Sequence, residues 1–260
     1  MENPRLPTDN PQPAGRNSQH EGVSKNTARP ANAPIVHAPH SAIAQAPPSL
    51  TLLPRMNDNP WLQLCLIATG LYVTYLWWTD YRAAHTAIPA PSSNPFPGAT
   101  AVPRKALWIA ATGAALILAA ETCGEIALGL DDEQSKITVL FGIYTLIAAI
   151  IEEIIFRGFL VVENRGRTAL LCGIIGASLL FALIHPFLWK WDDEGFALTL
   201  TAKGWFSFAA VLAGSLWFYT CRFASWNPAR SLLPCFAAHF TKNAGVFAIK
   251  AIQGFVAGTW

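Results

Sequence analysis

The chain has 260 residues, is 52% hydrophobic and only 13% charged, and carries a net charge of +2. So small a charge, with no basic stripe, implies no nucleic-acid partner. The apolar residues come in blocks near twenty long, the length that crosses about 30 Å of hydrocarbon, so the chain reads as a membrane protein rather than a water-soluble domain.

Met1–Pro60 holds eleven of the nineteen prolines and few apolar clusters. Such a segment cannot bury enough surface to offset its ordering entropy, so it is expected to be a disordered tail. It shows no apolar stretch of the kind a cleavable signal peptide needs, so the first block is expected to be an uncleaved anchor. Six blocks follow: Trp61–Trp78, Ala106–Leu130, Ile137–Val162, Thr168–Leu188, Trp205–Phe223 and Leu232–Ala257. None alternates lipid-facing with lumen-facing residues, so strands are not expected and the fold class is all-α, a polytopic transmembrane bundle of about six spans. The connection Thr79–Lys105 is proline-rich and reads as an extended loop. Glu163–Arg167 makes a tight helical hairpin between blocks three and four. Pro186–Gly204 and Ala224–Arg230 join the last three blocks. The five cysteines lie in or at the ends of apolar blocks without metal-site spacing and read as small buried hydrophobes.

Near the spans, seven basic residues fall on the side of Arg165 and Arg230, against four on the side of Lys136 and Lys203. The excess of Lys and Arg favours the first side as cytoplasmic.

Block three is the anomaly. It contains Glu152, Glu153 and Arg157, and each such charge costs roughly 2.5–3.5 kcal/mol at a helix centre. Glu153 and Arg157 are four apart, on one helical face, and can pair. Glu152 is rotated about 100° away and has no partner in its own helix. An unpaired carboxylate in an apolar setting can take or give a proton. The competing reading is a structural ion-pair network between helices.

Two further constellations lie in later blocks. His185 ends the run Phe181–His185 before Pro186, with Phe181 one turn earlier and placed to pack on the imidazole. His239 and Asn243 are four apart in block six. At about 1.5 Å per residue from the turns near Arg165 and Pro228, Glu152 lies roughly 20 Å deep, His185 roughly 28 Å, His239 roughly 16 Å and Asn243 roughly 22 Å. Helix tilt can absorb the spread. A base, two imidazoles and an amide at one buried level suggest activation of a water. Glu121 and Glu125, four apart near the end of block two, read as solvated interfacial carboxylates, with a substrate entrance as the other reading.

The chain has no H-E-x-x-H and no G-x-S-x-G, and it lacks a pair of intramembrane aspartates. Glu152–Arg157, Phe181–His185 and His239–Asn243 resemble, in order and spacing, the E-E-x-x-x-R, F-x-x-x-H and H-x-x-x-N motifs of the CPBP intramembrane proteases, which include the type II CAAX prenyl endopeptidases and bacteriocin-processing proteins. Gly158 and Ser231–Pro234 also look like family sequence. The resemblance covers roughly Ala106–Ala257. It divides the chain into the tail at 1–60, a first span with its loop at 61–105, and a protease-like core at 106–260.

The resemblance implies a glutamic-type intramembrane endopeptidase. Glu152 would activate water. His185 and His239 would hold that water or polarise the scissile carbonyl, and Asn243 would stabilise the oxyanion. Glu153, Arg157 and Phe181 would support them. No cofactor is expected. If zinc is used, its ligands would be Glu152, His185 and His239. The expected partners are the lipid bilayer and a peptide or protein substrate, lipidated or exported. A six-span chain fits a bacterial member, hence a multi-pass protein of the bacterial cytoplasmic membrane. A non-catalytic scaffold or chaperone on the same fold is the competing class. A proton-coupled transporter is a third, disfavoured because no internal repeat is visible.

Overall fold

A computed structural model describes residues 59–86, 95–192 and 195–260. The proline-rich segment up to residue 58, with the disorder expected of it, and the loop residues 87–94 lie outside this set. Six helices form the bundle: α1 (Pro60–Ala83), α2 (Arg104–Ala127), α3 (Val139–Glu153), α4 (Arg167–Ile184), α5 (Ala202–Phe223) and α6 (Leu233–Ile252). Pro60, placed in the tail by sequence, instead opens α1. Its missing N–H and fixed φ suit the first helical position, and Asn59 caps the helix by accepting from the Leu62 N–H.

Five of these helices are long and apolar enough to cross a membrane, with α3 counted to Phe159. The sixth, α6, is interrupted by His239, Lys242 and Lys250, and it packs against α2, α3 and α5. The protein is therefore a multi-pass membrane bundle whose most polar helix is clasped by three others. Where α6 meets α3, a Cβ on Gly142 would come within 2.4 Å of the Phe247 ring, so the bare glycine is what lets the two helices approach.

Strands were not expected, yet the α4–α5 connection contains a two-stranded antiparallel hairpin, β1 (Trp189–Asp192) and β2 (Gly195–Leu198). Trp189 pairs with Leu198 and Trp191 with Phe196. Directly opposed residues share a face, so one side of the hairpin is wholly apolar. It is too short to alter the fold class, and tryptophans beyond a span's end suit the lipid–water boundary.

Local signals set the helix ends that matter for the site. Thr138 caps α3 by accepting from the Phe141 N–H, and Thr201 caps α5 at Gly204. The next amides of α3 are satisfied by the chain's last residues: Val139 donates to the Gly258 carbonyl and Leu140 to that of Thr259. Beyond Glu153, α3 widens into a π-helical turn over Ile154–Phe159, in which Leu160 N–H reaches back five residues to Ile155. The Phe156 carbonyl in that turn accepts from the Tyr219 hydroxyl at 2.7 Å.

The start of α6 is fixed by the turn before it. Asn227 donates to the carbonyls of Cys221 and Ser231 and accepts from the Ser231 N–H, while the Ser231 hydroxyl donates to Thr100. Both Asn227 and Ser231 are buried. This polar knot holds the helix that carries His239.

Candidate active site

Glu153 and Arg157 are both fully buried and lie 3.1 Å apart, the pairing their spacing predicts. The guanidinium also donates to the Ser215 hydroxyl at 2.6 Å and to its carbonyl. Four rings surround it, Phe181 nearest at 4.6 Å, then Tyr219, Phe218 and Phe156. A charge in such a setting is stabilised by hydrogen bonds and by ring faces together. The arrangement ties α3 to α4 and α5.

His239 joins the pair from α6. Its Nδ1 lies 2.7 Å from Glu153 Oε1. An ionised carboxylate only accepts, so Nδ1 carries the hydrogen and Nε2 is the nitrogen left for chemistry. Phe218 stacks on the imidazole at 4.6 Å and Phe181 meets it edge-on. The ring is thus fixed in position and in tautomer by a carboxylate behind it, an arrangement that catalytic imidazoles also use.

Glu152 stands on the other side of that ring. Its Oε2 lies 3.7 Å from His239 Nε2, and its side chain keeps 32% exposure where Glu153 keeps none. The distance is too long for a direct hydrogen bond. It still lets one water oxygen reach both groups. Glu152 is the carboxylate with access, and Glu153 the one committed to structure.

His185 leaves α4 in an extended conformation, φ −77° and ψ 129°, because the following Pro186 disfavours the helical region for the residue before it. Its Nδ1 donates to the Phe181 carbonyl at 2.7 Å, and its ring lies against Phe181 and Phe187. In the neutral ring this leaves the lone pair on Nε2. Asn243 donates from Nδ2 to the Thr145 carbonyl at 3.0 Å, joining α6 to α3. His185, His239 and Asn243 line one cavity of about 60 Å³ with Phe181, Val211, Gly214, Phe218 and Lys242. The sequence-predicted residues thus divide into two groups sharing His239: a cavity wall of His185, His239 and Asn243, and the pairing with Glu152 and Glu153.

Among the described residues no three His, Cys, Asp or Glu side chains converge as a metal-ligand set. Glu152, His185 and His239 do not form such a cluster.

Two features were not anticipated. Lys242, one residue before Asn243, is buried and pairs with Glu121 at 2.7 Å. Glu125 pairs with Lys203 and accepts from Gln134. Both glutamates, read from sequence as solvated, are in fact held against cations from α6 and α5. The signal was present: a lysine inside an apolar block is as costly as a glutamate, and opposite charges in two blocks imply a pair.

Residues 134–245 match the family model described as Type II CAAX prenyl endopeptidase Rce1-like. This match supports a protease of the CPBP intramembrane type. The matched stretch runs from just before α3 into α6 and includes Glu152, Glu153, Arg157, His185, His239, Lys242 and Asn243. With five helices long and apolar enough to cross a membrane, the likeness supports a peptide hydrolase of the CAAX type in a multi-pass membrane protein. No curated protein and no solved structure matches it.

Proposed function

We propose that the protein is a glutamic-type endopeptidase in which Glu152 activates the hydrolytic water. One observation carries this reading: Glu152 is partly exposed and faces His239 Nε2 at 3.7 Å, while Glu153 is sealed against Arg157 and His239 Nδ1. In the step, the Glu152 carboxylate takes a proton from water as the oxygen attacks the scissile carbonyl carbon. The C–N bond then breaks, and the proton passes from Glu152 to the leaving amine. In the protonated form of His239, backed by Glu153, Nε2 donates to the developing oxyanion and keeps its proton throughout the step. Asn243 has a second amide hydrogen for the same oxygen, and His185 Nε2 accepts from the water. Phe181 and Arg157 keep the imidazole in place.

The proposed reaction uses no metal. The zinc alternative would draw its ligands from Glu152, His185 and His239. Elemental analysis of active protein, with chelation, separates the two: stoichiometric zinc, lost together with activity, overturns the metal-free mechanism. The proposed substrate is a peptide or protein, lipidated or exported, and the proposed setting is a bacterial cytoplasmic membrane, in keeping with the small number of helices. The scaffold alternative predicts that a Glu152→Gln protein retains full function in a null strain. The direct test is peptide cleavage by detergent-purified protein, wild type against Glu152→Ala. Equal rates would remove Glu152 from the mechanism.

A further inference from the structure

We propose that the seam between α2 and α6 is the path by which water reaches the site, with the Glu121–Lys242 pair at its inner end. The proposal rests on the hydrolytic reading above, since hydrolysis consumes one water for each bond cut.

Phe181, Val211 and Phe218 give the catalytic cavity an apolar lining on one side. Lys242 brings an ammonium group to its lining. The ammonium does not stand alone, since it meets Glu121 Oε2 at 2.7 Å, and Glu121 in turn lines a second cavity of about 50 Å³. That cavity is bounded by Thr122, Glu125, Gln134, Lys250 and Gln253 along its polar side. The ion pair is thus the partition between two hollows.

Polar groups continue outward from it in one direction. Glu121 and Glu125 are successive turns of α2, and Lys242, Val246 and Lys250 are successive turns of α6. Gln134 and Lys203 close on Glu125, and Lys250 donates to the Ser135 carbonyl. From Lys242 to Lys250 the run covers about 12 Å at 1.5 Å per residue. It ends at the face where α2 finishes and α3 begins, beside the Asp131–Glu133 turn.

Size and chemistry fit water. A cavity needs roughly 10–15 Å³ of this kind to hold one water, with two to four polar partners. Both hollows exceed that and both carry several partners. The outer one, at about 50 Å³, is too small for a peptide. Glu121 and Lys242 keep 16% and 10% of their side-chain surface open. Charged residues inside membrane bundles pair with one another and mark water-filled routes. A paired lysine and glutamate carry no net charge, so the route attracts neither anions nor cations to the catalytic carboxylate.

The test is made on full-length protein in membranes. Val246→Cys places a thiol on the outer cavity, and Ser135→Cys places one at its mouth. Leu116→Cys places a third on the exposed, lipid-facing side of α2. Each variant is labelled with a small charged methanethiosulfonate and read at the substituted position by mass spectrometry. The thiol of Val246→Cys is expected to react within tenfold of the one in Ser135→Cys, and at least a hundredfold faster than the one in Leu116→Cys. Reaction in Val246→Cys as slow as in Leu116→Cys overturns the path, whether or not any peptide is cleaved. In the cleavage assay, Val246→Trp should lower kcat at least tenfold with KM for peptide within twofold, while Leu116→Trp changes neither. An unchanged kcat in a folded Val246→Trp protein also overturns it. If labelling follows the path and the wild type cleaves nothing, the protease reading fails and the seam remains.

Discussion

His239 Nδ1 lies 2.7 Å from Glu153 Oε1, so the imidazole is aimed by the fully buried glutamate and not by its partly exposed neighbour Glu152. Two neighbouring carboxylates on one helix therefore serve opposite ends of one ring. Glu153 sets its tautomer, and Glu152 meets its reactive nitrogen. Replacing each separately should give different losses.

Glu152→Gln is expected to lower kcat by about 10²–10⁴-fold, the usual worth of a positioned general base. Stability should move by no more than about 0.5 kcal/mol, as at other partly open positions. Steady-state cleavage and chemical denaturation in detergent measure the two effects.

Glu153→Gln should do the reverse in emphasis. It leaves the buried Arg157 guanidinium without its counter-charge, a loss of about 3–5 kcal/mol when one partner of a buried pair is removed. The denaturation midpoint should fall sharply, and activity should fall with it because His239 loses its anchor. A Glu153→Gln protein as stable as wild type would contradict the assignment.

Much of this was legible in the sequence because the helices are long and the charges in them few. Glu153 and Arg157 could be paired from spacing alone, since both ends belong to one helix. The contact between Glu153 and His239 could not, because it depends on how α3 and α6 are rotated against each other. Glu121 shows the same limit more plainly. Its position near a helix end suggested solvent, and only the packing of α2 on α6 brings it to Lys242. The aromatic hairpin was invisible because its alternating pattern is four residues long and lies in a loop.

Asn243→Asp should weaken the link between α6 and α3. A carboxylate cannot donate to the Thr145 carbonyl, and the loss of such a bond costs about 0.5–1.5 kcal/mol. Thermal unfolding in detergent should register the loss. Cleavage should fall as well, since the donor proposed for the oxyanion is removed in the same change.

Gly142→Ala tests the helix approach itself. The added methyl would overlap the Phe247 ring, for which overpacking costs of about 1–3 kcal/mol are typical. A lower melting temperature is expected, together with a reduced kcat as α6 moves its imidazole away from Glu152. Phe247→Leu in the same protein should restore part of both.

The π-helical turn after Glu153 is a place where the chain carries slack in length. A segment bonded five residues back holds about one residue more than an α-helix would over the same turn. Deleting Ile155 would remove that slack and allow an unbroken α-helix, with Arg157 then three residues from Glu153 instead of four. Ile155 is 42% exposed, so exchanging it for another apolar residue disturbs little. The end of this helix is therefore guarded less by which residues it contains than by how many.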